Sequence, residues 1–206
     1  MTAILAAARE QSFAANSVIV HQTHRADCLF LLTRGQARHF YITEDGRKIL
    51  MRWLVPGDIT GAAALLSKPW RYLVSTEAVK DSRLLVWNRA DIGRLAVRFP
   101  KLLHNAMFIA ADYLEWYLTA HLALMCHSDR QRCASVLVSI SRAVGQKVTG
   151  GIELRITNEE LANAAGITLF AVSRFMSEWQ RLGAIAKSRG KVLLRSVNML
   201  HREARR

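Results

Sequence analysis

The chain has 206 residues, 51% of them hydrophobic, which is ample for one large or two small buried cores. Its formal charge of +13 favours a polyanion as partner, because each phosphate met by Lys or Arg releases condensed counterions. No polybasic amphipathic helix or lipidation motif accompanies that charge, so nucleic acid ranks above a membrane surface; the three cysteines, Cys28, Cys126 and Cys133, have no metal-ligand spacing and indicate neither a disulfide framework nor a zinc or iron–sulfur cluster.

The N-terminal MTAILAAARE lacks the cationic start of a signal peptide, and a reducing cytoplasm is expected. From about Asn16 to Trp87 come short β-prone runs: Ser17 to Val20, Cys28 to Thr33, Ala37 to Ile42, Lys48 to Leu54, Leu73 to Ala78 and Arg83 to Trp87. Turn signals stand at Arg34-Gly35, Asp45-Gly46 and Pro56-Gly57, which predicts an antiparallel β domain of strands linked by tight hairpins. A long helix is predicted after Pro100. There Leu103, Met107, Ala110, Leu114, Tyr117, His121 and Leu124 alternate steps of four and three, the spacing of a coiled-coil seam, with His121 as a polar residue specifying register. Such a seam pairs with a copy of itself, although Phe108, Leu118 and Leu122 widen the apolar face enough to fit a helix packed on its own β domain. His104, Asn105, Asp112, Glu115 and His121 interrupt the stretch and argue against a membrane span.

Ser128 with Gln131 forms a capping box that ends the long helix and opens another through Cys133, Val136, Leu137 and Ile140. The expected division is therefore 1–99, 100–127 and 128–206. The last segment carries fourteen Lys and Arg against six Asp and Glu, a net +8. Gly145 to Gly151 reads as a loop, and Ile152 to Ile156 as a short strand.

Thr157 with Glu160 is a second capping box; Leu161, Ala164 and Ala165 follow at helical spacing, and Gly166 stops the helix. Thr168 caps the next, in which Val172, Phe175, Met176, Trp179 and Leu182 form one apolar stripe. Leu169, Phe170, Ser173, Arg174 and Ser177 are left on the outer face. Lys187, Ser188, Arg189, Gly190 and Lys191 then make a cationic turn ahead of Val192 to Leu194. Two helices about a Gly turn followed by a basic hairpin spell a winged helix-turn-helix, whose second helix fits the major groove of double-stranded DNA. Candidate backbone contacts are Thr157, Thr168, Ser177, Lys187, Arg189 and Lys191. An ordinary helical hairpin in a core accounts for the two helices but not for the basic hairpin.

Other chemistry is sparse. The chain lacks Gly-x-Ser-x-Gly, His-Glu-x-x-His, a phosphate-binding Gly-rich loop with Lys and the dinucleotide fingerprint, so no enzyme is expected. Histidines 21, 24, 39, 104, 121, 127 and 201 lack ligand spacing on one helix face, and no metal site is expected; Cys28 fits inert packing better than a redox sensor.

A β domain, a long helix and a C-terminal winged helix-turn-helix, in that order, resemble the Crp/Fnr family of bacterial transcription factors over nearly the whole chain. Phe30 to Gly35 (FLLTRG), Glu44-Asp45-Gly46-Arg47, Pro56-Gly57-Asp58 with Gly61, and Ser173-Arg174 carry the resemblance. It implies an α+β architecture of an N-terminal antiparallel β-roll like a cyclic-nucleotide-binding domain, a dimerisation helix and a winged DNA-binding domain. It further implies a homodimer on a near-palindromic operator, with RNA polymerase as a further partner. Arg174 would meet a guanine through a bidentate fork and Ser173 a neighbouring base. Leu169 and Phe170 depart from the family's polar readers; they fit thymine methyl contacts, or one of them packs on the wing.

The pocket departs too. Members that bind cyclic nucleotides carry Gly-Glu-Leu and Arg-Ser/Thr-Ala; here Gly61-Ala62-Ala63 and Arg71-Tyr72-Leu73 stand instead. Cyclic AMP or GMP is therefore not expected, the effector is left open among small molecules and haem, and the family's iron–sulfur cysteine cluster is absent. The rival expectation is a sensor whose winged domain docks a protein instead of DNA.

Overall fold

The computed structural model describes residues 2–66, 68, 70–188 and 190–205. The chain forms two compact units, residues 1–116 and 117–206, and the division falls inside one long helix.

The first unit is an antiparallel β-roll. A short helix α1 (Thr2–Ala6) precedes β1 (Arg9–Phe13), β2 (Val18–Val20), β3 (Cys28–Ile42), β4 (Lys48–Leu54) and β5 (Ile59–Thr60); after a 3₁₀ turn at Ala62–Leu65 come β6 (Ser75–Asn88) and α2 (Arg89–Arg98). The sheet runs β1-β6-β3-β4, with β2 also on β6 and β5 on β3. Asp45-Gly46 turns the β3–β4 hairpin as expected, Gly46 standing at φ 79°. Arg34-Gly35 does not turn the chain. Gly35 (φ 95°) sits in a bulge inside a continuous β3, where a Cβ would lie 2.3 Å from Ser82 Oγ and 2.5 Å from the Asp81 carbonyl. Glycine is needed there for the close approach of β6, and the register of the β3–β6 pair shifts on either side of it. The runs expected at Leu73 to Ala78 and Arg83 to Trp87 likewise join into β6, leaving Leu73 outside it and exposed. The pattern also missed α1, β1 and α2; α2 is capped by Asn88, whose side chain accepts from the Asp91 N–H.

Two apolar clusters hold this unit. Val20, Phe30, Leu32, Leu54, Leu84 and Val86 fill the roll; Leu29, Trp87, Ile92 and Leu95 join the sheet to α2. Trp87 satisfies its buried N–H on the Ile4 carbonyl at 2.8 Å, which fixes α1 on the sheet.

Helix α3 (Lys101–Cys126) follows, with no fully buried residue along its 26. Leu102, Ala106, Ile109, Tyr113 and Trp116 are half-buried, one face at helical spacing. The seven seam residues from Leu103 to Leu124 are all exposed.

The second unit continues with α4 (Asp129–Val144), β7 (Gln146–Val148), β8 (Gly151–Arg155), α5 (Asn158–Ala165), α6 (Leu169–Arg181), β9 (Ile185–Ser188), β10 (Lys191–Leu194) and α7 (Val197–Glu203). Its sheet runs β7-β8-β10-β9. Both halves of the Ser128–Gln131 capping box are made. The segment expected as a loop after Gly145 contains β7, paired with β8, and α7 was not foreseen. Cys133, Leu137, Leu161, Met176, Trp179 and Leu200 are fully buried and knit the helices together.

Candidate DNA-reading surface

Local chemistry sets the two helices of the motif. At Thr157 the hydroxyl accepts the Glu160 N–H at 3.1 Å while the Glu160 carboxylate accepts the Thr157 N–H at 2.8 Å, so two orphan donors of α5 are satisfied reciprocally. Gly166 ends α5 in the left-handed region at φ 61°. A Cβ on it would lie 2.8 Å from Leu124 Cδ2, so this seam residue also touches the turn of its own chain. Thr168 accepts the Ala171 N–H at 3.1 Å and starts α6.

Helix α6 buries Ala171, Val172, Phe175, Met176 and Trp179. Leu182, expected to complete this stripe, is 53% exposed, because the helix ends at Arg181 and Leu182 is its C-cap. On the opposite face Leu169 (52%) and Phe170 (78%) are uncovered, so neither packs on the wing, and Arg174 and Ser177 are exposed beside them. Ser173 is half-buried, its hydroxyl accepting from Asn158 Nδ2 at 3.2 Å, and Ser177 Oγ donates to the Ser173 carbonyl at 2.8 Å. Arg174 lays its guanidinium over the Phe175 ring, 5.0 Å from the centroid. Asn158 had no sequence signal beyond its place after a capping Thr.

The wing presents Lys187 half-buried on β9 and Lys191 on β10; Arg189 lies outside the described residues. Lys191 Nζ is engaged by Glu153 at 2.9 Å, which lowers its availability to a phosphate. Behind the motif, Arg132 donates to the Ala165 carbonyl at 3.0 Å and the His127 carbonyl at 2.8 Å, tying the last turn of α5 to the end of the long helix. Arg130 of α4 holds Glu178 of α6 through both its terminal nitrogens, at 2.7 and 3.0 Å.

In the β-roll, Gly61 heads the 3₁₀ turn at φ 80°, a Cβ there meeting the Cys28 carbonyl at 2.4 Å and Tyr72 Cε1 at 3.1 Å. Tyr72 points inward, its hydroxyl donating to the Cys28 carbonyl and accepting the Cys28 N–H, each at 3.0 Å. Ala62 packs on the cluster under α2, and Arg71 is exposed opposite Arg25. The structure thus joins Gly61 with Tyr72 and leaves Arg71 at the surface. A buried polar line was not legible in the sequence: His39 Nε2 meets the Thr60 hydroxyl at 3.1 Å, and Thr60 meets Thr76 at 2.9 Å. Tyr113 of α3 stacks on His39 with ring centroids 6.0 Å apart, and Arg52 lies 4.6 Å over the Tyr113 ring. Burial, with the Arg52 charge second, pushes the His39 imidazole down to about 4. Glu77, also buried, is held by Arg38 and Lys48. Among the described residues no group of three or more His, Cys, Asp or Glu gathers to hold a metal, and no helix is long and apolar enough to cross a membrane.

A β-roll followed in the chain by a winged helix-turn-helix defines a two-domain, DNA-binding transcription regulator. Residues 10–99 match the cyclic nucleotide-binding domain, and residues 131–203 the Crp-like helix-turn-helix domain. The chain is 30% identical over 183 residues to a cyclic AMP receptor protein of Thermus thermophilus, covering 88% of this chain and 82% of that one. It is 29% identical to the transcriptional regulator LdrP of the same organism, covering 93% and 95%. The crystal structure of a CRP-family transcriptional regulator, also from Thermus thermophilus, superposes with a TM-score of 0.80 at 25% identity, covering 95% of this chain and 97% of that one. The chain belongs to the Crp/Fnr family of transcription regulators, proteins that bind DNA and act as dimers.

Proposed function

We propose that this regulator works in the cytoplasm as a homodimer and reads a near-palindromic operator with α6, RNA polymerase being its downstream partner. The observation that carries the reading is the uncovered edge of α6, where Arg174 keeps an exposed planar fork beside apolar Leu169 and Phe170. A fork of that kind suits guanine O6 and N7, and the apolar pair suits thymine methyl groups. Ser173 lies beside it. Thr168 keeps a hydroxyl donor for a phosphate at the start of α6, and Lys187 adds a cation from the wing. Thr157 and Ser177 spend their hydroxyls inside the motif, and Lys191 its ammonium on Glu153, so these three serve the backbone less than the sequence suggested.

Dimerisation is supported by α3, whose seam (Leu103, Met107, Ala110, Leu114, Tyr117, His121, Leu124) lies beside the half-buried face used within the chain and keeps Met107, Leu114 and Tyr117 more than half exposed. Symmetry would set two reading helices about 34–36 Å apart. Leu114→Asp should shift the protein to monomer in sedimentation and weaken operator binding at least about tenfold, as loss of a coiled-coil partner requires; a dimer unchanged by that substitution would refute the seam.

The effector is not a cyclic nucleotide on this reading. Ala62 and Ala63 follow Gly61, Tyr72 gives its hydroxyl to the Cys28 backbone, and Arg71 is at the surface. An unmatched ribose hydroxyl would cost about 1–3 kcal/mol for each group left unpaired. Haem finds no support either, since His39, the buried histidine among the described residues, gives its Nε2 to Thr60.

Selection of bound duplexes from random DNA tests the reading, with affinity then followed against salt. A two-fold related motif and a steep loss between about 50 and 200 mM salt are expected. Salt-insensitive association with a protein and no enriched sequence would favour the docking alternative instead.

A further inference from the structure

Glu178 is the only carboxylate of α6, and it stands four residues beyond Arg174 and three before Arg181. On a helix surface residues three and four apart face one another and pair when oppositely charged. Left to its own helix, Glu178 would pair with Arg174 or Arg181, whose charges both act on it. It does not. Both its oxygens are taken from behind by Arg130 of α4, in a fork of 2.7 and 3.0 Å. That hydrogen bonding, first among the causes, holds the Glu178 carboxyl below the usual carboxylate range. Arg130 is itself fixed on three sides: its Nε donates to Glu203 of α7, whose side chain is 7% exposed, and its plane lies over the Phe175 and Trp179 rings at 5.7 and 5.6 Å. A fork locked by two carboxylates and two rings has one geometry. Arg174 meanwhile lies on the Phe175 ring; it acts on Glu178 through its charge, the last of the causes there, and forms no ion pair with a carboxylate among the described residues.

We infer that Arg130 is a positioning residue for DNA reading: by holding Glu178 against α4 it keeps that carboxylate away from Arg174, whose fork stays open for a base. The inference rests on the assignment of α6 as the reading helix. Without Arg130 the Glu178 charge would close on Arg174 and would also face the phosphates.

The test uses the full-length protein and the operator obtained by selection, with affinity measured for operator and for unrelated duplex. Arg130→Gln should lower operator affinity about tenfold and cut the operator-to-unrelated ratio, and adding Glu178→Gln should restore both to within about twofold of the parent. Glu178→Gln alone should bind at least as tightly as the parent. On an Arg174→Ala background, Arg130→Gln should cause no further loss of the ratio, a result that mere structural damage would not give. Thermal unfolding accompanies each variant; if Arg130→Gln does not fold, Arg130→Lys, which keeps the cation but not the fork, carries the same comparison with about a threefold loss. The inference is overturned if the Arg130 variant binds normally, if Glu178→Gln fails to rescue it, or if Glu178→Gln alone weakens binding about tenfold. Failure of the parent protein to bind any selected duplex would instead sink the assignment of α6.

Discussion

The β-roll and the winged unit place their polar groups in opposite ways. In the roll they are turned inward: His39, Thr60 and Thr76 form a closed line, Tyr113 covers it, and Glu77 is gripped by two cations. In the winged unit two carboxylates, Glu178 and Glu203, are gathered on Arg130, while the face of α6 keeps its cation and its apolar pair. The first arrangement disfavours a positive charge on His39, beside which Arg52 already stands; the second leaves a cation facing solvent.

The largest expected effect tests the support behind the proposed reading face. Trp179 is fully buried beneath α6, and Trp179→Ala should destabilise the winged unit by about 3–5 kcal/mol. Denaturant unfolding followed by circular dichroism would show it, and a loss under about 1 kcal/mol would mean that α6 is not seated as described.

The inward arrangement of the roll predicts a pH response. His39 is neutral when folded and its proton affinity is depressed to about 4, whereas the unfolded imidazole titrates at its ordinary value of 6.5. Between those values the unfolded chain binds more protons, so stability is full above about pH 6.5 and falls as pH drops toward 4, by about 3 kcal/mol from this residue. Arg52 beside it adds to the penalty for a charged ring, and Tyr113 and the two threonines supply no counter-charge. The difference between urea midpoints at about pH 7 and about pH 4.5 should be smaller in His39→Gln than in the parent; an equal difference in both would show that the ring is solvated.

At the outward face, Arg174→Ala should cost about 1–3 kcal/mol on the selected operator and flatten preference at one base position. Retention of both would move the reading face elsewhere. The smallest effect separates the two wing lysines: Lys187→Ala should weaken all duplexes alike and lower the salt slope by about one, while Lys191→Ala, whose ammonium already faces Glu153, should change the slope by less. The opposite ranking would mean that the Glu153 pair opens on DNA.

The winged unit was far more legible in the sequence than the roll. Thr157, Glu160, Gly166 and Thr168 act within a few residues of themselves, and the stripe from Val172 to Trp179 follows from helix geometry, so both helices and their exposed edge could be read directly. Leu182 failed because the same periodicity does not say where a helix stops. In the roll, Gly35 looked like a turn and is a bulge, since its conformation is set by Ser82 on the neighbouring strand.

The sequence by itself determined the order of the units, the caps and turn of the DNA-binding motif, the long helix α3 and the Ala62-Ala63 that follows Gly61, because each is written in residue type and local spacing. The tertiary structure alone decided which polar groups meet. His39, Thr60, Thr76 and Tyr113 come from four separate segments, and Arg130 reaches Glu178 and Glu203 across 48 and 73 residues. Pairings over such distances depend on how helices and strands pack, and no local periodicity encodes them.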